Sequence, residues 1–360
     1  MIQSNASRSA GPRVSVVVPV HNGGETLALC LSPLTAVAGD RVEVIVVDDR
    51  STDASAAIAA SAGATVVPNP RGRGPAAARN VGAERARGAI LFFVDADVIV
   101  ESSAVDRLLA LFDAEPAVAG VFGSYDDAPF ATNFLSQYKN LFHHFTHQTS
   151  EADSGSFWGG CGAIRREVFE AVGGFDEVKY PRPSIEDIEL GFRLRRAGYA
   201  VRLDHALQAK HLKRWTTVSL LKADIVDRAI PWSALIVSAD AMPNDLNLRW
   251  PARVSAALVG VLAFAIPFLA LGHRKFYAIP VSKVALAAAL TALVHVIVLN
   301  REFYRFLGRT RGWLFTVRAV PMHLCYYFYS GVTFVVCWTW EQIARLIPAR
   351  RRNRAASAAS

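Results

Sequence analysis

The sequence predicts an α/β doubly wound sheet in its first part and transmembrane helices in its second part. Short β-branched runs alternate with helical segments through about residue 249, whereas residues 254–340 consist mainly of long apolar stretches. Strands alternating with helices at this spacing are typical of doubly wound sheets. An apolar stretch of about 20 residues can cross a bilayer. The chain length of 360 residues allows two such domains.

Four strands are predicted, at Val14–Val20, Val42–Asp48, 64–67 and Ile90–Val94. The first is apolar on both faces, which is typical of a buried parallel strand. Helices are predicted from about residue 25 and over 54–62, 76–87, 103–113, 133–148, 167–172 and 185–197. Pro183 and Ser184 favour the start of the last helix, and Gly198 favours its end. No role is predicted for the aromatic and His-rich segment 133–148.

The formal net charge of +8 indicates an anionic partner. The chain shows no helix-turn-helix or zinc-finger pattern, and many cationic residues flank the apolar segments, so lipid headgroups are favoured over nucleic acid. These residues are Arg249, Arg253, Arg274, Lys275, Arg301, Arg305, Arg309, Arg311 and Arg318.

Cysteine usage and the N-terminal residues bear on the compartment. Four widely spaced cysteines without a CxxC pair indicate neither a disulfide framework nor a zinc site. The apolar run Val14–Val20 is too short for a signal peptide. We therefore expect the first half of the chain to stay in the cytoplasm.

Asp95 and Asp97 come directly after a predicted strand. Ligands of doubly wound sheets bind beyond the carboxyl ends of the strands. The two carboxylates are suited to Mg²⁺ or Mn²⁺, which would neutralise a diphosphate. The structural alternative is a solvated turn, in which Asp is common.

Asp48 and Asp49 follow another strand in the same way. Asp49 is predicted to accept hydrogen bonds from a nucleobase or ribose, and Asp53 to cap the next helix. Arg79 could meet a phosphate or could be a surface arginine. Glu186 lies in the first turn of a helix, where the helix dipole alone favours an acidic residue.

Six motifs together resemble the family 2 inverting glycosyltransferases with the GT-A fold, a Rossmann-like doubly wound mixed sheet. The resemblance runs from residue 14 to about residue 215. The motifs are SVVVPVHN at 15–22, VDDRSTD at 47–53, ARNVG at 78–82, DAD at 95–97, GGFDE at 173–177 and EDIEL at 186–190.

The resemblance implies roles for individual residues. Asp187 is the implied catalytic base, which would remove the acceptor proton in one inverting displacement. Asp97 is the implied principal metal ligand, with Asp95 and His211 completing the metal site. Donor binding is assigned to Pro19, Val20, His21, Asn22, Asp49, Arg79, Asp95 and Asp97. The acceptor side is assigned to Trp158, Gly159, Gly160, Glu186, Arg214 and Trp215.

One departure from the family pattern concerns processive synthesis. Membrane-embedded polysaccharide synthases of the family carry Gln-x-x-Arg-Trp, whereas this chain has His211 in place of the Gln, ahead of Arg214 and Trp215. The departure weakens the expectation of a processive, cellulose-synthase-like activity.

The predicted division of the chain follows from these patterns. It comprises a flexible N-terminus at 1–13, the GT-A domain at 14–220, an interfacial or linker segment at 221–253, a membrane region at 254–340 and a basic flexible tail at 341–360. Spans are predicted at 254–272 and 277–299, with a third candidate at 319–340 and a cationic interfacial segment at 301–318. A third full span would place the tail arginines outside, against the positive-inside rule. Two explanations stay open: the last segment is re-entrant or interfacial, or the tail is an exception to this rule.

The leading hypothesis is a membrane-anchored, metal-assisted transferase of cell-envelope polysaccharide or glycolipid synthesis. Its donor would be a UDP-, GDP- or dTDP-sugar, and its acceptor a lipid-linked or membrane-proximal saccharide. A polyprenyl-phosphate glycosyl synthase is the alternative of the same class. A catalytically inactive membrane scaffold is the alternative of another class. A nucleotidyltransferase is disfavoured because no Gly-rich, Arg/Lys-bearing loop follows the first strand.

Overall fold

The computed structural model describes residues 11–72, 74–238, 245–270, 275–276 and 279–346. The chain divides into two compact units, Met1–Thr216 and Thr217–Ser360. Most of the predicted flexible N-terminus, at residues 1–10, lies outside the described residues. The same holds for residues 347–360 of the predicted basic tail, with Arg350, Arg351, Arg352 and Arg354.

The first unit alternates strands and helices along its first hundred residues. Its strands are β1 (Val14–Val20), β2 (Val42–Asp48), β3 (Thr65–Pro68), β4 (Ile90–Val94), β5 (Val98–Val100), β6 (Val118–Tyr125), β7 (Asp153–Ser154), β8 (Cys161–Arg165) and β9 (Ala200–His211). Its helices are α1 (Gly24–Ala36), α2 (Ser55–Ser61), α3 (Gly74–Arg85), α4 (Ala104–Ala114), α5 (Phe134–Gln148), α6 (Arg166–Ala171) and α7 (Glu186–Arg196).

These strands form one mixed sheet in the order β3-β2-β1-β4-β8-β6-β9-β5, with β7 paired to β9. Strands β1 to β4 pair in parallel. Beyond β4 the sheet turns mixed, because β8 runs antiparallel to both β4 and β6 while β9 runs parallel to β6. The predicted α/β doubly wound mixed sheet is thereby confirmed.

The residues of the central strands explain why they lie in the middle of the sheet. All of β1 and all of β4 are buried, as the continuous apolar runs predict. Helix α3 packs closely on this layer because Gly82 has no side chain. A Cβ added at Gly82 would lie 2.3 Å from a methyl carbon of Val17. Because β1 to β4 run parallel, their carboxyl ends lie at one edge of the sheet.

The second unit is largely helical over its described residues. A helical stretch comprises α8 (Thr217–Leu221), a π-helical segment (Lys222–Ala229) and α9 (Ile230–Ser238). After the short 3₁₀ turn Leu246–Leu248 come α10 (Trp250–Leu269), the two-residue strands β10 (Lys275–Phe276) and β11 (Ile279–Pro280), α11 (Val281–Leu299), α12 (Arg301–Arg311) and α13 (Trp313–Leu346).

Three helices of this unit, α10, α11 and α13, are long and apolar enough to cross a membrane. Helix α13 continues without a break through the predicted third span at 319–340. The cationic segment at 301–318 comprises α12 and the start of α13. Parts of the predicted linker and of the first two spans, at 239–244, 271–274 and 277–278, lie outside the described residues.

Helix α12 is strongly amphipathic. Phe303, Tyr304 and Leu307 are buried, whereas Arg301, Arg305 and Arg309 are exposed. The arginines are four residues apart, so they form one stripe along the helix. The helix therefore presents an apolar face inward and a cationic face outward.

Candidate functional site

The ends of β1 and β2 are joined by side-chain hydrogen bonds. His21 Nδ1 lies 2.7 Å from the carbonyl oxygen of Asp49, and the backbone N–H of Thr52 donates to Asn22 Oδ1 at 2.8 Å. Asn69 donates from Nδ2 to Asp49 Oδ1 at 2.8 Å. The structure thus brings together three of the residues predicted to hold the nucleoside. It adds Asn69, which follows β3 and which the motifs did not include.

Asp53 connects two helix starts. Its Oδ1 accepts from the backbone N–H of Ser55 at 3.0 Å, and its Oδ2 accepts from the backbone N–H of Gly24 at 3.0 Å. Carboxylates are favourable beside the N–H groups at the start of a helix. Asp53 therefore ties the loops after β1 and β2 together.

The Asp95–Asp97 turn lies against the loop after β1. A Cβ added at Gly23, which directly follows the predicted donor segment Pro19–Asn22, would lie 3.6 Å from the Cβ of Ala96. Strand β5 begins immediately after the turn and pairs antiparallel with the end of β9, which sets Val98 opposite His211. His211 Nε2 consequently lies 3.5 Å from Asp97 Oδ2. The pairing of β5 with β9 therefore brings Asp97 close to a histidine that is distant in the sequence.

Arg79 is buried between two carboxylates, with 4% of its side chain exposed. It donates from one terminal nitrogen to Asp95 at 2.6 Å and from the other to Glu186 at 2.8 Å. Its Nε is also buried and has no hydrogen-bond partner among the described residues. The surface-arginine alternative is therefore wrong. Arg79 instead bridges the Asp95–Asp97 turn and the start of α7.

Burial and neighbouring charges shift the pKa values of this cluster in different directions. Burial raises the pKa of Asp95 above its usual range, and the Arg79 guanidinium offsets only part of that rise. Burial acts in the same sense on Asp97, but the hydrogen bond and charge of His211 outweigh it, so the pKa of Asp97 is lowered. Burial alone would lower the pKa of Arg79, yet the surrounding carboxylates raise it, so the guanidinium stays charged.

Asp187 lies in the first turn of α7, next to Glu186. Its carboxylate accepts hydrogen bonds from the backbone N–H groups of Gly159, at 3.0 Å, and Ile188, at 2.8 Å. The carbonyl oxygen of Gly160 accepts from the backbone N–H of Asp95 at 3.2 Å. Residues 159–160 therefore contact both the Asp95–Asp97 turn and the predicted base.

Trp158 folds back over Gly160. A Cβ added at Gly160 would lie 2.7 Å from Trp158 Nε1, so a larger residue there would displace the indole. The Trp158 side chain is half-buried, whereas Gly159 and Gly160 are buried. Of the predicted acceptor-side residues, these three and Glu186 lie together beside Asp187.

The segment after β9 is fixed to the start of α5. The backbone N–H of Trp215 donates to Ser136 Oγ at 2.7 Å, and Asn133 donates from Nδ2 to the Trp215 carbonyl oxygen at 2.8 Å. Lys213 Nζ lies 4.4 Å from the centre of the buried Trp215 ring. Arg214 is exposed. The Trp215 side chain therefore belongs to the protein interior, and Arg214 remains accessible.

The residues present fit a divalent cation that is shared with a phosphate-bearing substrate. No group of three or more His, Cys, Asp or Glu side chains in the described part of the chain is arranged to hold a metal ion. Asp97 and His211 are nevertheless close enough for both to ligate one cation. Mg²⁺ characteristically takes one or two carboxylates and completes its shell with substrate phosphates and water. A two-residue site of this kind suits that mode of binding.

A family model described as "Glycosyl transferase family 2" matches residues 15–173. The match covers the first four of the six motifs and supports the resemblance that they indicate. The chain is 35% identical over 118 residues to the succinoglycan biosynthesis protein ExoO of Rhizobium meliloti, which covers 31% of this chain and 32% of that protein. It is 29% identical over 209 residues to the probable glycosyltransferase YdaM of Bacillus subtilis, covering 53% and 48%.

The chain thus spans about a third to a half of the length of these curated relatives. Among solved structures, it is similar to the mannosyltransferase PcManGT from Pyrobaculum calidifontis in complex with GDP-Man and Mn²⁺. The two are 18% identical, with a TM-score of 0.49, and the likeness covers 91% of this chain and 88% of that one.

Proposed function

We propose that this chain, which carries a glycosyl transferase family 2 domain, is an inverting glycosyltransferase that moves a sugar from a nucleotide-sugar donor to an acceptor hydroxyl. The observation that carries the proposal is the link from the Asp97–His211 pair through Asp95 and Arg79 to the helix that bears Asp187. One connected cluster therefore contains groups suited to binding a diphosphate and a group suited to removing a proton.

Asp187 acts as the general base in this proposal. Two backbone N–H groups orient its carboxylate, which takes the proton of the acceptor hydroxyl as the hydroxyl oxygen attacks the anomeric carbon. The bond from that carbon to the nucleoside diphosphate breaks in the same step. Because attack and departure occur on opposite faces, the anomeric configuration inverts.

The donor binds along the edge formed by the strand ends. Asp49 and Asn69 hold the nucleoside, and the buried Arg79 keeps Asp95 and Glu186 in place. Asp97 and His211 would hold Mg²⁺ or Mn²⁺, which supplies charge neutralisation at the diphosphate when bound.

The acceptor is proposed to be lipid-linked or membrane-proximal, with the catalytic unit on the cytoplasmic side. Three helices of the second unit are long and apolar enough to cross a membrane. Beside them, the exposed arginine stripe of α12 matches the negative charge of phospholipid headgroups. Acceptor profiling with polyprenyl phosphate, a lipid-linked saccharide and a free saccharide separates a polyprenyl-phosphate glycosyl synthase from a transferase that extends a lipid-linked sugar.

A donor screen tests the reaction class. Full-length protein in detergent is incubated with UDP-, GDP- and dTDP-sugars and with Mg²⁺, Mn²⁺ or EDTA, and nucleoside diphosphate release is measured. We expect release from one donor class that EDTA abolishes. Calorimetry that detects no donor binding across this panel would contradict the proposal and favour an inactive scaffold.

Two variants test the assigned residues. Asp187→Asn is expected to retain donor binding and lose transfer by a factor of roughly 10² to 10⁴. Asp97→Asn is expected to lose metal-dependent donor binding. The control is Asp106→Asn, which removes an exposed carboxylate from the first turn of α4 and should leave activity unchanged. Wild-type transfer by the Asp187 variant would refute its role as the base.

A further inference from the structure

We infer that Tyr125 is a positioning residue that holds the His211 ring in the orientation needed to ligate a divalent cation. This inference rests on the proposed metal-assisted function. Tyr125 is the last residue of β6, a strand that none of the sequence motifs includes. Its ring is stacked on that of His211, with the ring centres 4.3 Å apart and the planes 9° apart.

The stack restricts the His211 side chain. His211 is the last residue of β9, where pairing of β9 with β5 positions its backbone beside Asp97. Backbone pairing does not determine how an imidazole turns about its own side-chain bonds. The parallel Tyr125 ring covers one face of the imidazole, so the rotation that would carry Nε2 away from Asp97 is blocked.

Tyr125 is itself held by rings from other parts of the first unit. Its ring centre lies 4.3 Å from that of His143 on α5 and 4.8 Å from that of Trp158, which it meets edge to face. His143 and Trp158 also contact each other, with their ring centres 4.9 Å apart. Because aromatic rings pack best in offset or edge-to-face arrangements, this cluster restrains the Tyr125 ring.

Helix α5 also holds the backbone of this part of β6. His144 Nδ1 lies 2.7 Å from the carbonyl oxygen of Tyr125, and His147 Nδ1 lies 3.0 Å from that of Gly123. Asn140 donates from Nδ2 to the carbonyl oxygen of Asp126 at 2.7 Å. The sequence predicts no role for this His-rich helix. In the structure, α5 supports the end of β6, next to the proposed metal ligands Asp97 and His211.

Mn²⁺ affinity is the direct readout of this role. Full-length protein is titrated with Mn²⁺ in the presence of UDP, GDP or dTDP, with a protein-free blank for each nucleotide, and free Mn²⁺ is followed by electron paramagnetic resonance. Residues that orient a metal ligand typically contribute 10- to 100-fold to metal affinity. We expect Tyr125→Leu to weaken Mn²⁺ binding by roughly 10-fold or more. Tyr125→Phe keeps the stacked ring and should retain most of the affinity that Tyr125→Leu loses.

A double-variant cycle shows whether Tyr125 acts through His211. His211→Ala should weaken Mn²⁺ binding, and adding Tyr125→Leu to it should have no further effect, because residues that act through one contact are not additive. Phe112→Leu is the matched control. It removes another buried aromatic ring, which lies on α4 against the Arg165 guanidinium, and should leave Mn²⁺ affinity unchanged.

The outcomes distinguish this inference from the proposed function. If His211→Ala weakens Mn²⁺ binding but Tyr125→Leu does not, the positioning role is refuted and the metal site stands. The role is also refuted if the two effects are additive, or if Phe112→Leu weakens binding as much as Tyr125→Leu does. If His211→Ala binds Mn²⁺ like wild type, the proposed metal ligand is wrong and the inference falls with it.

Discussion

Replacing Arg79 with methionine tests the buried ion cluster. Arg79→Met keeps a long apolar stem and removes the charge that faces two carboxylates. The Glu186 side chain is 5% exposed and would remain buried without its partner, whereas the Asp95 side chain is 34% exposed and can recover hydration. Removing one partner of a buried ion pair costs about 3 to 5 kcal/mol. The partial exposure of Asp95 places the expected loss at the lower end, at about 3 kcal/mol.

This loss is measurable as a change in the unfolding temperature. For a domain of about 200 residues, about 3 kcal/mol corresponds to a decrease in Tm of about 6 to 12 °C. The assay is thermal unfolding of the full-length protein in detergent, followed by intrinsic fluorescence. We also expect Arg79→Met combined with Glu186→Gln to recover part of the loss, because the double variant no longer buries an unpaired carboxylate.

An exposed ion pair provides the control. Arg195 and Asp153 are 2.7 Å apart, with 51% and 65% of their side chains exposed. Exposed pairs contribute at most about 1 kcal/mol, so Arg195→Met should lower the Tm far less than Arg79→Met. The reasoning is refuted if the two variants unfold at the same temperature, or if Glu186→Gln aggravates the Arg79→Met defect.

Three further predictions concern the first unit. Gly82→Ala should lower stability by about 1 to 3 kcal/mol in thermal unfolding, because the new methyl would meet Val17 at 2.3 Å; an unchanged Tm would show that α3 can shift. Burial alone would raise the pKa of Glu43, but its hydrogen bonds with Ser15 and Arg87 lower the pKa overall. Glu43→Gln should therefore be less stable than wild type at pH 7. That difference should shrink as the pH falls below the ordinary pKa of Glu and vanish below the folded-state pKa, and a gap that stays constant as the pH falls contradicts it. Burial raises the thiol pKa values of Cys30 and Cys161, so maleimide labelling mapped by mass spectrometry should modify them only after unfolding.

Much of the sheet could be predicted because its signals are local. A strand buried on both faces must be apolar at nearly every position, and both β1 and β4 meet that condition. The predicted bounds of β1, β2 and β4 agree with the structure to the residue. Ligands of doubly wound sheets bind beyond the carboxyl ends of such strands, which is how Asp49 and Asp97 could be chosen as candidates.

Strands β5 and β9 escaped prediction for a physical reason. Strand β9 carries polar and charged residues along its length, and β5 is only three residues long. Their strand conformation depends on pairing with each other and with β6, which a local pattern does not show. The proposed metal role of His211 could be suggested only by resemblance, and its distance from Asp97 follows from the β5–β9 pairing.

The sequence by itself determined the four parallel strands, the carboxylates that follow β2 and β4, and the stretches that could cross a membrane. Composition and periodicity express these properties over a few neighbouring residues. Only the tertiary structure decided that Arg79 is a buried bridge, since its partner Glu186 lies 107 residues away. It also decided that Tyr125 stacks on His211. Contacts of this kind depend on how distant strands and helices pack, and no local pattern of residues encodes them.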